Sequence, residues 1–243
     1  YLFQENLIFY PQALDKNYSF TFKQNFEELN IETQDELSLN SLLFKVDTAK
    51  GVIIFLHGNA GALDTWGRLA PLYREQNYDI LFFDYRGFGK SDGKIENQSQ
   101  LLRDVQTVYD TIKVRYSEDR ITIIGYSIGT GLATYLASKN NPQKLILIAP
   151  YYSLTNVIQS ICPVVPKFLI KYKLETYKYI PDCSMPIIIF HGNEDQVIDY
   201  ENSVMLDKLL SAKDNLISIE GVGHNDILEN EVYKGNLREI LAK

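Results

Sequence analysis

Nine consecutive residues decide the fold of this chain: Ile121-Thr122-Ile123-Ile124-Gly125-Tyr126-Ser127-Ile128-Gly129. The run at their start is mostly β-branched and predicts a buried strand, and the residues that follow predict a helix. A serine between them, with glycine two positions before and two after, has the G-x-S-x-G pattern of a nucleophile elbow. Side chains in place of the glycines would clash with the packed strand and helix. In a chain with 14 glycines the bare pattern also fits a plain turn, so other residues must supply the chemistry.

The chain has 3 histidines, and one of them is the candidate base for Ser127. His57 and His191 each end an apolar run and precede a glycine, so we expect both to order loops by hydrogen bonding. His224 lies in the glycine-containing loop 221–225 after a strand-like run, and this loop can fold back over the sheet edge. A loop histidine is often a surface or capping residue, yet by elimination His224 is the favoured general base.

An imidazole base needs a carboxylate that fixes its tautomer and stabilises the imidazolium. Asp195 is the best candidate, because it follows a strand end closely and that strand would carry it to the same rim as Ser127. Glu194 and Asp199 are the close competitors, and a carboxylate in such a loop is otherwise a solvated turn residue. We therefore predict Asp195 as the partner of His224.

A tetrahedral intermediate also needs preorganised donors for its oxyanion. The amide of Ile128, directly after the serine and at the start of a helix, is one predicted donor. The other should come from the glycine-punctuated loop 57–61 (His-Gly-Asn-Ala-Gly), where we select the Asn59 amide. Such a loop can also be a plain turn or a phosphate cradle, but both phosphate-binding spacings, G-x-G-x-x-G and G-x-x-x-x-G-K-[ST], are missing.

With these residues in hand, the chain resembles the α/β-hydrolase superfamily, and within it the short-capped serine hydrolases of the abhydrolase-domain type, many of which are membrane-anchored. The resemblance includes loop 84–91, similar to the family's D-Y-R-G-x-G-x-S, and residues 191–195, similar to its H-G-x-x-D. The chain order serine, acid, histidine is also that of this superfamily. The match covers nearly the whole chain but specifies no substrate. In this family Asp84 and Arg86 are generally structural, and we carry them over only in that role.

Length and composition predict a single domain over residues 1–243, with 45% hydrophobic and 23% charged residues as in ordinary globular proteins. Apolar runs alternate with polar segments of helix length, which predicts an α/β-hydrolase fold: a mostly parallel central sheet, buried by helices on both faces. The runs lie at Val52, Ile80, Ile121, Leu145, Ile187 and Leu216. Alternating segments at 26–32 and 37–46 predict an antiparallel hairpin that opens the sheet.

Residues 151–185 form a predicted cap insertion between two strands, too short for a large lid domain. Its apolar side chains either cover the Ser127 rim and hold an acyl chain or pack down on the sheet. Both cysteines of the chain, Cys162 and Cys183, lie in it and either form one disulfide or stay free. The sequence leaves the redox compartment open.

The net charge of −7 and the pI near 5.1 argue against a nucleic-acid partner, since no basic patch is available to displace counterions from phosphates. The histidines are scattered and no pair of ligands has zinc spacing, so we expect no metal and no cofactor. The expected partner is a small-molecule or lipid-like acyl ester.

Residues 1–11 are rich in aromatic side chains and resemble the segment that follows a membrane anchor in relatives of this type. The chain starts at Tyr1 rather than methionine, so we expect that the natural N-terminus has been removed. An anchor among the missing residues is what the resemblance implies. The protein would be membrane-associated with that anchor and cytoplasmic without it. No stretch present approaches the ~20 apolar residues of a transmembrane helix. The alternative is that residues 1–11 pack their aromatic rings on the core.

The predicted function is that of a serine hydrolase that cleaves carboxylic esters or thioesters through an acyl-enzyme. Ser127 attacks, His224 relays the proton, Asp195 orients His224, and the Asn59 and Ile128 amides hold the oxyanion. The alternatives are a depalmitoylase-like protein thioesterase, a peptidase, or a hydrolase-fold binding module without turnover. A binding role gives no reason to keep all three side chains in order.

Overall fold

The computed structural model describes residues 4–242. Its strands are β1 (Tyr10–Pro11), β2 (Phe26–Glu32), β3 (Ser38–Phe44), β4 (Gly51–Leu56), β5 (Ala60–Gly61), β6 (Tyr78–Phe83), β7 (Ile121–Tyr126), β8 (Lys144–Ile148), β9 (Ile187–Gly192) and β10 (Asn215–Ile219). Its α-helices are α1 (Gln4–Ile8), α2 (Leu63–Trp66), α3 (Ala70–Arg74), α4 (Gln98–Lys113), α5 (Gly129–Lys139), α6 (Leu154–Ile161), α7 (Thr176–Tyr179), α8 (Glu201–Asp207) and α9 (Glu231–Ala242). Short 3₁₀ helices span Gly67–Leu69, Glu118–Arg120, Lys167–Leu169, Ile180–Asp182 and His224–Glu229.

Eight strands form one sheet in the order β10-β9-β8-β7-β4-β6-β3-β2. β3 pairs antiparallel with β2 and with β6, and every other neighbouring pair in this sheet is parallel. The predicted hairpin is therefore present, with Phe26 opposite Phe44. The mostly parallel sheet predicted from the alternating apolar runs is confirmed.

Helices cover both faces of the sheet. Successive residues of a strand point to opposite faces, so each central strand contributes to two cores. In β4, Val52 and Ile54 join the core that contains α4 and α5, whereas Ile53 and Phe55 join the core that contains α3 and α9. Because both faces are covered, the central strands are continuous apolar runs rather than alternating ones.

The edge strand β10 departs from the prediction that all the parallel strands are buried on both faces. It pairs only with β9 in the sheet, and of its five residues only Ile219 is buried. An edge position leaves one flank of a strand open to solvent, and the position of a strand within the sheet follows from topology rather than from its own sequence.

Helix α4 shows how local sequence determines where a helix begins and which of its faces is buried. The Asn97 side chain accepts a hydrogen bond from the Gln100 N–H at 2.9 Å and caps the first turn. Leu101, Val105 and Val108 recur at helical spacing and are buried, which fixes this face against the sheet.

The loop after β6 is held by buried polar contacts. The Arg86 guanidinium donates to both carboxylate oxygens of Asp104, at 2.5 and 2.7 Å, and also bonds Asp35. The Ser91 hydroxyl donates to the Asp84 carbonyl oxygen at 2.7 Å and accepts from the Asn40 N–H at 2.9 Å. These contacts tie the loop to α4 and to the β2–β3 hairpin.

The segment between β8 and β9 contains α6, two short 3₁₀ helices and α7. Cys162 is exposed and Cys183 is buried, and both thiols are free, so the disulfide alternative is wrong. Three apolar residues of this segment, Ile161, Val164 and Phe168, are largely exposed.

At the start of the described chain, Phe9 is buried and contacts the Tyr172 ring edge-on, with ring centroids 5.3 Å apart. Tyr10 is exposed. The alternative that the aromatic residues of segment 1–11 pack on the core is thus confirmed for Phe9. Residues 1–3 lie outside the described residues. Among the helices of residues 4–242, none combines the length and apolar composition that a membrane crossing requires.

Candidate active site

Ser127 occupies the sharp turn between β7 and α5 in a left-handed backbone conformation, with φ of 52°. Its N–H donates to the Ile148 carbonyl oxygen at 2.9 Å, and its carbonyl oxygen accepts from the N–H and the hydroxyl of Thr130. A non-glycine residue in this region is strained and persists only where the surroundings hold it. These bonds to β8 and α5 supply that restraint.

Both glycines of the G-x-S-x-G pattern are required because atoms of neighbouring elements lie too close for a side chain. A Cβ at Gly125 would lie 2.7 Å from the Cβ of Ala133 in α5. A Cβ at Gly129 would lie 2.1 Å from the Leu56 carbonyl oxygen at the end of β4. Neither distance is compatible with a real side chain, so only glycine lets the helix start this close to the two strands.

The three predicted triad residues lie in one hydrogen-bonded chain. His224 Nε2 is 3.0 Å from Ser127 Oγ, and His224 Nδ1 is 2.6 Å from Asp195 Oδ2. Each of the three residues is only 8% exposed. The Asp195 carboxylate can only accept, so the proton of the neutral imidazole lies on Nδ1. Nε2 then carries no proton and accepts a hydrogen bond from the serine hydroxyl. In this geometry Nε2 is placed within hydrogen-bond distance of the Ser127 hydroxyl, the arrangement found in a serine–histidine–acid triad.

The Asp195 carboxylate is held on both oxygens. Oδ1 accepts the N–H groups of Val197 and Ile198, each at 2.8 Å, while Oδ2 faces His224. Burial acts to raise the pKa of Asp195, but the hydrogen bonds from His191 and His224 outweigh it and hold that pKa well below its usual range. Asp195 is therefore a carboxylate at neutral pH and can stabilise an imidazolium at His224.

The competitors for the acid role lie elsewhere. Glu194 and Asp199 are exposed, and an Asp199 carboxylate oxygen accepts the Glu201 N–H at 2.8 Å near the start of α8. Neither takes the bond to His224 Nδ1, which Asp195 occupies.

Two contacts around the triad were not foreseen from the sequence. His191 Nε2 lies 3.2 Å from Asp195 Oδ2, in addition to its loop contact with the Ile198 carbonyl oxygen at 2.9 Å. The Tyr126 hydroxyl donates to the His224 carbonyl oxygen at 3.1 Å, and its ring lies against the imidazole. The four-residue separation of His191 and Asp195 around a strand end is the signal that could have suggested the first contact.

The predicted oxyanion donors follow neighbouring strands, since β4 and β7 pair in parallel with Leu56 opposite Gly125. Ile128 is the N-terminal cap residue of α5, and Asn59 lies just after β4. In the part of the chain that the structure describes, neither backbone N–H donates to another protein group. Neither amide is thus committed to an acceptor within the described residues.

The other predictions concern groups that the site would not use. His57 is fully buried, with Nδ1 2.7 Å from the Gly58 carbonyl oxygen. Across residues 4–242, no three or more His, Cys, Asp or Glu side chains are grouped so that they could hold a metal ion.

Comparison with known proteins identifies relatives of this chain. The model of the family described as "Serine aminopeptidase, S33" matches residues 47–184, more than half of the chain. An uncharacterized protein of Acanthamoeba polyphaga mimivirus is 28% identical and covers 91% of this chain and 83% of its own length. Alpha/beta hydrolase domain-containing protein 17B of Xenopus laevis is 29% identical over 81% of this chain and 68% of its own.

Among solved structures, an esterase of Pyrococcus furiosus superposes with a TM-score of 0.77, at 19% identity, over 96% of this chain and 97% of that chain. This similarity shows the α/β-hydrolase fold. The fold class and the resemblance inferred from the sequence are confirmed.

The steric account of the elbow predicts opposite effects for two Gly→Ala substitutions. Gly129→Ala should lower the free energy of unfolding by about 1–3 kcal/mol, because its Cβ would overlap the Leu56 carbonyl oxygen. Gly235→Ala, in α9, meets no atom closer than 4.0 Å and should raise it by roughly 0.5–1 kcal/mol. Urea unfolding of both variants measures the difference, and a stabilising Gly129→Ala would contradict the account.

Proposed function

The chain belongs to the serine aminopeptidase S33 family of α/β-hydrolases, and on that basis we propose that it is a serine hydrolase that cleaves carboxylic esters or thioesters through an acyl-enzyme. The observation that carries the proposal is the continuous hydrogen-bonded chain from Ser127 Oγ through His224 to Asp195. We further propose that residues 1–243 act as one catalytic domain, with residues 151–185 as its cap.

The first half of the reaction forms the acyl-enzyme. Ser127 Oγ attacks the carbonyl carbon while its proton passes to His224 Nε2, and Asp195 stabilises the resulting imidazolium. The carbonyl oxygen becomes an oxyanion that accepts hydrogen bonds from the Asn59 and Ile128 amides. Collapse of the tetrahedral intermediate breaks the bond to the leaving group, which takes the proton from His224 and departs as an alcohol or a thiol.

The second half regenerates the enzyme by the same groups. A water molecule gives a proton to His224 Nε2 as its oxygen attacks the acyl carbon, and the same amides hold the second oxyanion. Collapse breaks the bond to Ser127 Oγ, which takes the proton back, and the carboxylic acid leaves. Every proton passes through Nε2, which requires Nδ1 to stay bonded to Asp195.

An acyl substrate with an apolar chain is favoured by the cap. The segment between β8 and β9 exposes Ile161, Val164 and Phe168, each by more than three quarters of its surface. Exposed apolar side chains grouped in one short segment are typical of surfaces that bind apolar ligands or partners.

The proposed reaction needs no cofactor, because the acid, base and nucleophile groups all come from this chain.

A matched substrate series tests the reaction class. We expect hydrolysis of p-nitrophenyl esters and acyl thioesters, graded from acetyl to palmitoyl, and much slower cleavage of aminoacyl p-nitroanilides. Ser127→Ala should abolish every activity. A preference for the anilides would indicate a peptidase, and wild-type activity equal to that of Ser127→Ala would indicate a binding module without turnover.

The triad acts as a unit, so its variants should not be additive. Ser127→Ala, His224→Ala and the double variant should lose similar factors in kcat, leaving only the ~10³ to 10⁴-fold acceleration over water that binding and the oxyanion hole provide. Ester-hydrolysis kinetics on the three variants measure this. Losses that multiply in the double variant would show that the two side chains act independently.

Asp195→Asn should disable the enzyme through the histidine tautomer. The two backbone N–H groups that now donate to Oδ1 would donate to the carboxamide oxygen of the asparagine. The NH₂ group would then take the place of Oδ2 and face His224 Nδ1. The proton of His224 then moves to Nε2, which can no longer accept from Ser127, so kcat should fall by about 10⁴.

The matched control is Asp199→Asn. The carboxamide oxygen of asparagine accepts the Glu201 N–H as the carboxylate does, so this variant should keep wild-type kcat. Circular dichroism checks that both variants fold. A loss below about tenfold in Asp195→Asn would mean that another group orients His224.

A further inference from the structure

Two short segments meet beside the site: the loop 57–61, here called the oxyanion loop, and residues 8–14, here called the N-terminal strap. β1 in the strap pairs in parallel with β5 in the loop, with Tyr10 opposite Ala60 and Pro11 opposite Gly61. This pairing is separate from the eight-stranded sheet. The oxyanion loop therefore has a backbone partner on its outer side.

Asn59 is held by the strap at two points. The Tyr10 N–H donates to the Asn59 carbonyl oxygen at 2.8 Å. The Asn59 carboxamide Nδ2 donates to the Ile8 carbonyl oxygen at 3.1 Å. The first bond fixes the peptide unit that follows Asn59, and the second fixes the side chain away from any role at the reacting oxygen.

The peptide unit before Asn59 is fixed from the inner side. The Gly58 carbonyl oxygen lies 2.7 Å from His57 Nδ1 and therefore faces the buried imidazole. In a trans peptide the N–H points opposite to the C=O. The Asn59 N–H is thus directed away from the buried His57 ring. Its final direction depends on both flanking peptide units, one held by His57 and the other by the strap.

The strap is in turn held by two other segments, the loop after β6 and the segment between β8 and β9. The Gly89 N–H donates to the Gln12 carbonyl oxygen at 2.8 Å, and the Leu14 N–H donates to the Gly89 carbonyl oxygen at 2.9 Å. Phe9 is buried against Tyr172 of the cap segment. The strap is therefore bonded or packed against three segments: the oxyanion loop, the loop after β6 and the segment between β8 and β9.

We propose that the N-terminal strap positions the oxyanion hole: the Tyr10 N–H and the Asn59 carboxamide together aim the Asn59 N–H at the developing oxyanion. This inference rests on the proposed acyl-enzyme mechanism. It assigns the Asn59 side chain to positioning and its backbone to stabilising the transition state. The N-terminal segment is then a working part of the active site, although it lies over 40 residues from the loop in sequence and over 110 from Ser127.

The central test compares Tyr10→Pro with Tyr10→Ala. Both remove the exposed ring and its hydroxyl bond to the Leu7 carbonyl oxygen, but only proline also removes the N–H that holds Asn59. Loss of an oxyanion donor costs ~10² to 10³ in kcat, and a misaimed donor should cost part of that. We expect kcat of Tyr10→Pro to be about 10–100-fold below that of Tyr10→Ala on one p-nitrophenyl ester, with KM changed less than about threefold.

A second readout separates positioning from loss of folded enzyme. An alkyl boronic acid forms a tetrahedral adduct on Ser127, and its Ki does not depend on the fraction of active enzyme. Ki should rise in Tyr10→Pro by about the factor lost in kcat, since both report binding of the tetrahedral state. Equal kcat and Ki in folded Tyr10→Pro and Tyr10→Ala would overturn the proposal.

Asn59→Ala supplies an independent arm. This variant keeps the backbone N–H of residue 59 and removes the side-chain bond to Ile8. We therefore expect kcat to fall and Ki to rise. The losses should not multiply when it is combined with Tyr10→Pro, because both changes act on the same amide. Multiplying losses would instead show that the carboxamide acts independently of the Tyr10 N–H, and would overturn the joint positioning. If Tyr10→Pro does not fold, an unchanged Ki in Asn59→Ala overturns the proposal. Wild-type protein that hydrolyses no ester would contradict the proposed function rather than the strap.

Discussion

The structure depends on one steric constraint, the left-handed turn at Ser127 between β7 and α5. There is no space for a Cβ at Gly125 or Gly129, so the strand, the turn and the helix can meet in one way only. The same closeness brings the start of α5 against the end of β4, and hence the elbow beside the loop that contains Asn59. Backbone strain at the serine is balanced by hydrogen bonds to Ile148 of β8 and Thr130 of α5.

Beside that turn, the buried carboxylate of Asp195 faces the imidazole of His224. Asp195 accepts two backbone N–H groups on one oxygen and faces two imidazoles with the other. Full pairing keeps it ionised despite burial, and the ionised form fixes the tautomer of His224. The sheet makes this possible, because parallel strands β7 and β9 deliver their following loops to the same edge.

Much of the fold and site followed from local signals. The glycine spacing predicted the elbow, the alternating apolar runs predicted the sheet, and the strand ends predicted which side chains would meet. The contacts that were missed have no local signal. The exposure of β10 follows from its edge position, and the pairing of Tyr10 with Ala60 joins two-residue strands far apart in sequence. Such contacts are selected by tertiary packing, which no periodicity in either segment reveals.

The central claim is that Ser127 is a nucleophile activated by its surroundings, and covalent labelling measures this most directly. The protein would be reacted with a fluorophosphonate and mapped by peptide mass spectrometry. The account predicts one phosphonyl group per chain, on Ser127, and no labelling after denaturation. Labelling on a different serine, such as Ser153, or no labelling of the folded protein would contradict it.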